Sequence, residues 1–147
     1  MSIKLSTGLR NYMLDTGSLN SALAAGFVDI YSGAVPVSAD DAIVSGTLLV
    51  TVSLNSTATG VNFDTAAAAG VITKAPLETW SGVCAAGGVA SYFRYRTAAD
   101  TGNSSATAFR IQGNIGLAGS DMNMSNTLLV TSAAQTIDSF ALALPTL

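Results

Sequence analysis

From Gly26 onward the chain is built of short apolar, β-branched runs that turn residues cut every 8–12 positions, and this punctuation constrains the fold most. Gly46-Thr-Leu-Leu-Val-Thr-Val-Ser-Leu54 is the clearest run, rich in residues that favour extended backbone. Phe27–Tyr31, Val61–Phe63, Val71–Lys74 and Leu77–Trp80 read the same way, with turns at Ser32-Gly33, Asn55–Gly60 and Pro76. Val89–Thr97 alternates, with Val89, Ser91, Phe93 and Tyr95 on one face and Ala90, Tyr92, Arg94 and Arg96 on the other. Thr107–Gln112 alternates too, with Arg110 opposite Phe109 and Ile111. Gly113, Gly116 and Gly119 are expected to bend the chain, and Gly82 marks another bend. Asp121–Ser125, Leu128–Thr131 and Thr136–Leu144 complete the set, while Ala66–Gly70 fits neither period. The expectation is a mainly β chain: one β-sandwich or jelly-roll-like domain over 1–147, with about eight or more short antiparallel strands in 27–147.

The first 26 residues follow another period. Leu9, Tyr12 and Met13, then Leu19, Ala22 and Leu23, recur at helical spacing. Ser6 or Thr7 caps the first helix, Gly17 interrupts, Ser18 caps the second and Gly26 closes it. This segment plugs one end of its own sandwich; the alternative is an arm in which Leu9, Tyr12 and Met13 pack on a neighbour.

The chemistry available is sparse. The 147 residues hold no His, one Cys (Cys84), one Glu (Glu78) and 10% charged side chains, against about 25% in an ordinary soluble domain. General acid–base work and most metal sites draw on the missing types, so no enzyme, no cofactor and no metal is expected. Serine hydrolysis lacks a His base and a Gly-x-Ser-x-Gly elbow, and only Lys4 and Lys74 are available for a Ser–Lys dyad. Asp40-Asp41 reads as a solvated loop, and Gly113-Asn-Ile-Gly116-Leu-Ala-Gly119 lacks phosphate-loop spacing. Cys84, Trp80, Met122 and Met124 read as core. Three Asn-x-Ser/Thr triplets carry little weight, because Met1–Arg10 has no apolar signal region. Mean hydropathy is +0.47, yet no run reaches the ~18–20 apolar residues of a spanning helix, so no membrane is expected. A net charge of −3 argues against nucleic acid. High hydropathy with few charges and no span points to surface that a partner covers.

The sharpest local signal is Tyr92-Phe-Arg-Tyr-Arg96. It puts Tyr92, Arg94 and Arg96 on one face, with Arg110 on a neighbouring strand. Aromatics beside arginines suit a protein-contact hot spot, and secondarily base stacking or a plain solvated face.

Several strings resemble small virion proteins of tailed bacteriophages: Leu5-Ser-Thr-Gly-Leu-Arg-Asn11, Ile30-Tyr-Ser-Gly33, Glu78-Thr-Trp-Ser-Gly82, Phe93-Arg-Tyr95, Arg110-Ile-Gln-Gly113, and Gln135-Thr-Ile-Asp138 followed by Leu144-Pro145. The likeness runs in order along nearly the whole chain, and within that group a capsid decoration, or cement, protein fits best. The resemblance implies a β-sandwich made in the host cytoplasm that sits on the capsid exterior. It would bind the major capsid protein and itself, as a homodimer or homotrimer. It brings no catalytic residues. A tail, neck or fibre-associated component is the alternative, as is a carbohydrate-binding module displaying Trp80, Tyr92 and Tyr95.

Overall fold

The structure is a computed structural model and describes residues 3–144; Pro145 lies outside the described residues. After β1 (Lys4–Leu5) come α1 (Thr7–Asp15) and α2 (Leu19–Ala22), the expected helical pair. The strands that follow are β2 (Phe27–Ser32), β3 (Thr47–Leu54), β4 (Val71–Thr73), β5 (Trp80–Val83), β6 (Gly88–Val89) and β7 (Tyr92–Arg96). The last five are β8 (Arg110–Gly116), β9 (Met122–Asn123), β10 (Leu128–Leu129), β11 (Ala134–Ile137) and β12 (Ala141–Ala143). One eight-stranded sheet runs β1-β8-β7-β2-β3-β5-β11 with β9 alongside β8, and β10-β6 and β12-β4 form two further pairs. All pairings are antiparallel except β8 with β9. The chain is mainly β, as its punctuation predicts, and the architecture is sandwich-like.

Register gives the central strands two distinct faces. Val28, Tyr95 and Ile111 stand in one row and Ile30, Phe93 and Gly113 in the next. These apolar rows, with Val50 and Val52 of β3, line the buried core. Trp80, Phe63 and Phe140 close it. Phe63 stacks on Tyr95 with centroids 5.1 Å apart and meets Trp80 edge-on at 5.9 Å, while Phe93 meets Phe140 edge-on at 5.3 Å. Leu9 and Leu23 of the helical segment are fully buried against this core. The segment therefore packs on its own chain. Ser6 caps α1 by accepting from Leu9 N–H, and Ser18 and Ser21 form a capping box on α2.

Local chemistry moved several boundaries. Leu77–Trp80 is not one strand: Glu78 N–H bonds Ala75 C=O in a turn, and β5 starts at Trp80. Val89–Thr97 breaks at Ala90-Ser91, where backbone bonds go to Thr127 and Tyr31 rather than to one continuous partner. Thr136–Leu144 splits because Phe140 turns into the core between β11 and β12. Val61 and Phe63 pair only as isolated bridges. Gly82 and Gly113 are strand residues rather than bends. A Cβ on Gly82 would lie 2.3 Å from the Thr51 carbonyl oxygen, so glycine there permits close approach of two strands.

Candidate docking surface

The opposite face of the central sheet is polar. Phe27, Arg96 and Arg110 form one row; Asp29, Arg94 and Gln112 the next; Tyr31, Tyr92 and Asn114 the third. Register thus brings Tyr92, Arg94, Arg96 and Arg110 together, as the alternation predicts. It does not leave them at the surface. Tyr92, Arg94 and Arg110 are buried, and Arg96 is half-buried. For Tyr92, Arg94 and Arg110 the reading as a contact face is corrected accordingly, and so is that of a solvated face, while the Arg96 side chain stays partly exposed.

The cover consists of two irregular segments, 33–46 and 97–109, and the polar face holds them by their backbone carbonyls. Arg110 Nη1 donates to Ala39 and Asp40 C=O at 3.2 Å each, and its Nη2 to Asn103 C=O at 2.6 Å. Arg94 Nη1 donates to Asp41 C=O at 2.8 Å, and Gln112 Nε2 to Pro36 C=O at 2.8 Å. Lys4 Nζ reaches Val37 C=O at 2.8 Å. The two segments are also tied to each other, Ser105 N–H to Asp40 C=O at 2.8 Å. Irregular chain can be buried only when its backbone polar groups find such partners. Here guanidinium and amide groups supply them.

The carboxylates are similarly engaged. Asp100 takes a forked pair from Arg110, and Asp29 meets Arg96 Nε at 2.5 Å. Burial alone would raise the Asp100 carboxyl, but hydrogen bonds from Arg110 and the Gly102 N–H, with the Arg110 charge, hold its pKa below the ordinary value. Asp40 is no solvated loop residue. Its two oxygens accept from Thr7 N–H at 2.8 Å and Thr7 Oγ at 2.7 Å at the start of α1. Those bonds and nearby arginines outweigh its desolvation and lower its pKa. Glu78 accepts from Asn62 and from Trp80 Nε1, and Lys74 lies over the Trp80 ring, 5.9 Å from its centroid. For Arg94, burial and then the like charge of Arg110 pull the pKa down. Among the described residues no group of three or more Cys, Asp or Glu is placed to hold a metal ion.

Of the helical residues singled out, Leu9 is core, Tyr12 packs on Phe109 with centroids 5.0 Å apart, and Met13 sits at the core margin. Leu9 is therefore unavailable to a neighbour. Trp80, Tyr92 and Tyr95 are all fully buried, which removes them as sugar-stacking platforms.

What is exposed is aliphatic. Val35, Val37 and Val44, all on the clasped segment 33–46, line a groove of about 420 Å³ with Pro36 and Ser104. Val89 and Leu128 stand directly opposite each other on the antiparallel pair β6/β10, each 58% exposed, with exposed Val130 two residues on. Both patches belong to the end of the sheet where β2 passes into segment 33–46. Ser91 Oγ donates to Gly33 C=O at 2.7 Å there, and the side of Gly88 faces Leu49 and Ser32. Residues 81–93 and 122–137 contain no charged side chain. Neither patch shows a sequence period, because a loop and a two-residue strand carry them. The only signal was mean hydropathy too high for so small a charge.

Comparison of the chain with family models, with curated proteins and with solved structures gives no match.

Proposed function

We propose that this protein is a non-enzymatic structural component of a phage virion that binds the outside of the capsid and stabilises contacts between major capsid subunits. The observation that carries the reading is the division of labour among its side chains. Arginines and carboxylates hold two loops to a sheet, and the large side chains that segment 33–46 and the paired strands β6 and β10 present outward are Val35, Val37, Val44, Val89 and Leu128. A rigid, weakly ionic, aliphatic surface loses little entropy and little charge solvation on docking. The resemblance of its sequence strings to small virion proteins supplies the shell as partner. Self-association as a dimer or trimer would multiply weak contacts across a repeating lattice.

The test is a binding assay on assembled heads, with a copy count on purified particles. Val37→Asp/Val44→Asp and Val89→Asp/Leu128→Asp should remain folded and fail to bind shells that the unmodified protein decorates in stoichiometric copies. Binding by both variants at wild-type level overturns the docking surface. A handful of copies per particle moves the protein to the neck or tail.

A further inference from the structure

The β10 edge of the two-stranded β6/β10 sheet faces a hazard. An exposed strand with apolar side chains and unpaired backbone groups is a template for another strand. Proteins usually guard such edges with Lys, Pro or a bulge. Residues 122–137 contain no Lys, Arg or Pro. Ala90 N–H bonds Thr127 C=O across the pair, so the alternation of an antiparallel ladder turns the N–H and C=O of Leu128 outward, away from β6. Both are taken by one side chain. Leu128 N–H donates to Asn126 Oδ1 at 3.0 Å, and Asn126 Nδ2 donates to Leu128 C=O at 2.9 Å. A carboxamide making this reciprocal pair occupies the positions a peptide group of an adjacent strand would take. On β11, an edge strand of the main sheet, Gln135 Nε2 donates to Thr136 C=O at 2.9 Å.

We propose that Asn126 acts as a surrogate neighbouring strand that closes the β10 edge, and that removing its amide lets β10 pair with β10 of a second copy of this chain. The second copy is the favoured occupant because Val89, Leu128 and Val130 carry apolar surface to the same edge, and no charge in 81–93 or 122–137 opposes like against like. An antiparallel β10–β10 pair is self-complementary about a two-fold axis. The inference does not depend on where in a particle the protein acts.

Sedimentation velocity across a concentration series tests it with the full chain. Asn126→Ala should self-associate about tenfold or more tightly than the unmodified protein, because two backbone hydrogen bonds become available. Asn126→Ala/Leu128→Pro should return to the unmodified behaviour, since proline removes the outward N–H without touching the bonds to β6. Asn126→Leu, of similar size, loses donor and acceptor without adding charge, and should match Asn126→Ala. An Asn126→Ala protein with unchanged circular dichroism and an unchanged mass distribution overturns the proposal. So does persistent association in the Leu128→Pro double variant. Should Asn126→Ala not fold, Asn126→Leu at wild-type association overturns it equally.

Discussion

Arg110 and Asp100 meet as a forked pair inside the protein, Nε 2.6 Å from Oδ2 and Nη2 2.7 Å from Oδ1, with side chains 0% and 1% exposed. Ten residues apart in sequence, they close the 97–109 segment over the polar face of the sheet. Removing one partner leaves a buried charge without its ion partner. Arg110→Ala should cost about 3–5 kcal/mol, read as a lower urea midpoint. Arg110→Lys should recover little, because an ammonium cannot reproduce the fork or reach Ala39, Asp40 and Asn103 together.

The same pair sets an acid limit. Asp100 and Asp40 both have folded pKa values below their ordinary ones. Depressed carboxyl pKa values contribute stability that is fully present above the unfolded value, about 3.9, and is lost as pH falls through the folded one. Unfolding free energy should be flat on this account from about pH 5 to 7 and fall below about pH 4. Asp100→Asn should flatten the acid limb while lowering the plateau. An acid limb of unchanged steepness in that variant would refute the assignment.

Asp40 couples the clasped loop to helix α1 through Thr7. Asp40→Ala should destabilise by about 1 kcal/mol, as loss of a helix-terminal acceptor does. Amide hydrogen exchange should quicken at the first turn of α1 and, because Asp40 C=O also holds Ser105, in 97–109.

Tyr95 gathers three parts of the chain. Its hydroxyl lies 3.0 Å from Leu23 C=O and 2.9 Å from Val61 C=O, beneath the Phe63 ring. Burial, with the Glu78 charge, raises its pKa, so the donor stays protonated. Tyr95→Phe should cost about 1–2 kcal/mol, with fluorescence of Trp80, whose ring centroid is 6.0 Å away, reporting the loosening.

Gly46 stands against Tyr92: a Cβ there would lie 2.1 Å from the Tyr92 hydroxyl oxygen. Gly46→Ala should destabilise by about 1–3 kcal/mol through overpacking. Gly46→Ala/Tyr92→Phe should recover part of that loss in the same denaturation measurement, since the hydroxyl is the clashing atom.

Period and turn chemistry made the strands around Ile30, Val50 and Phe93 legible, and they also sorted Arg94 and Arg96 from Phe93 and Tyr95. They could not say which face would meet water. Hydropathy assigns arginine outward, whereas here backbone carbonyls of residues 39–41 and 103, with the Asp100 carboxylate and the Gln112 side chain, meet Arg94 and Arg110 inside. A carbonyl is the same at every residue and leaves no trace in sequence. Asp40 was misread for the same reason: its partner, Thr7, is 33 positions away. The helical pair was legible because Ser6 and Ser18 act on amides three residues on.

Because segment 33–46 is gripped by main-chain oxygens, the identity of Val35, Val37 and Val44 contributes nothing to the grip. Those outward letters can be rewritten while the scaffold beneath stays shut. A lineage could therefore retune what it sticks to without relearning how to fold.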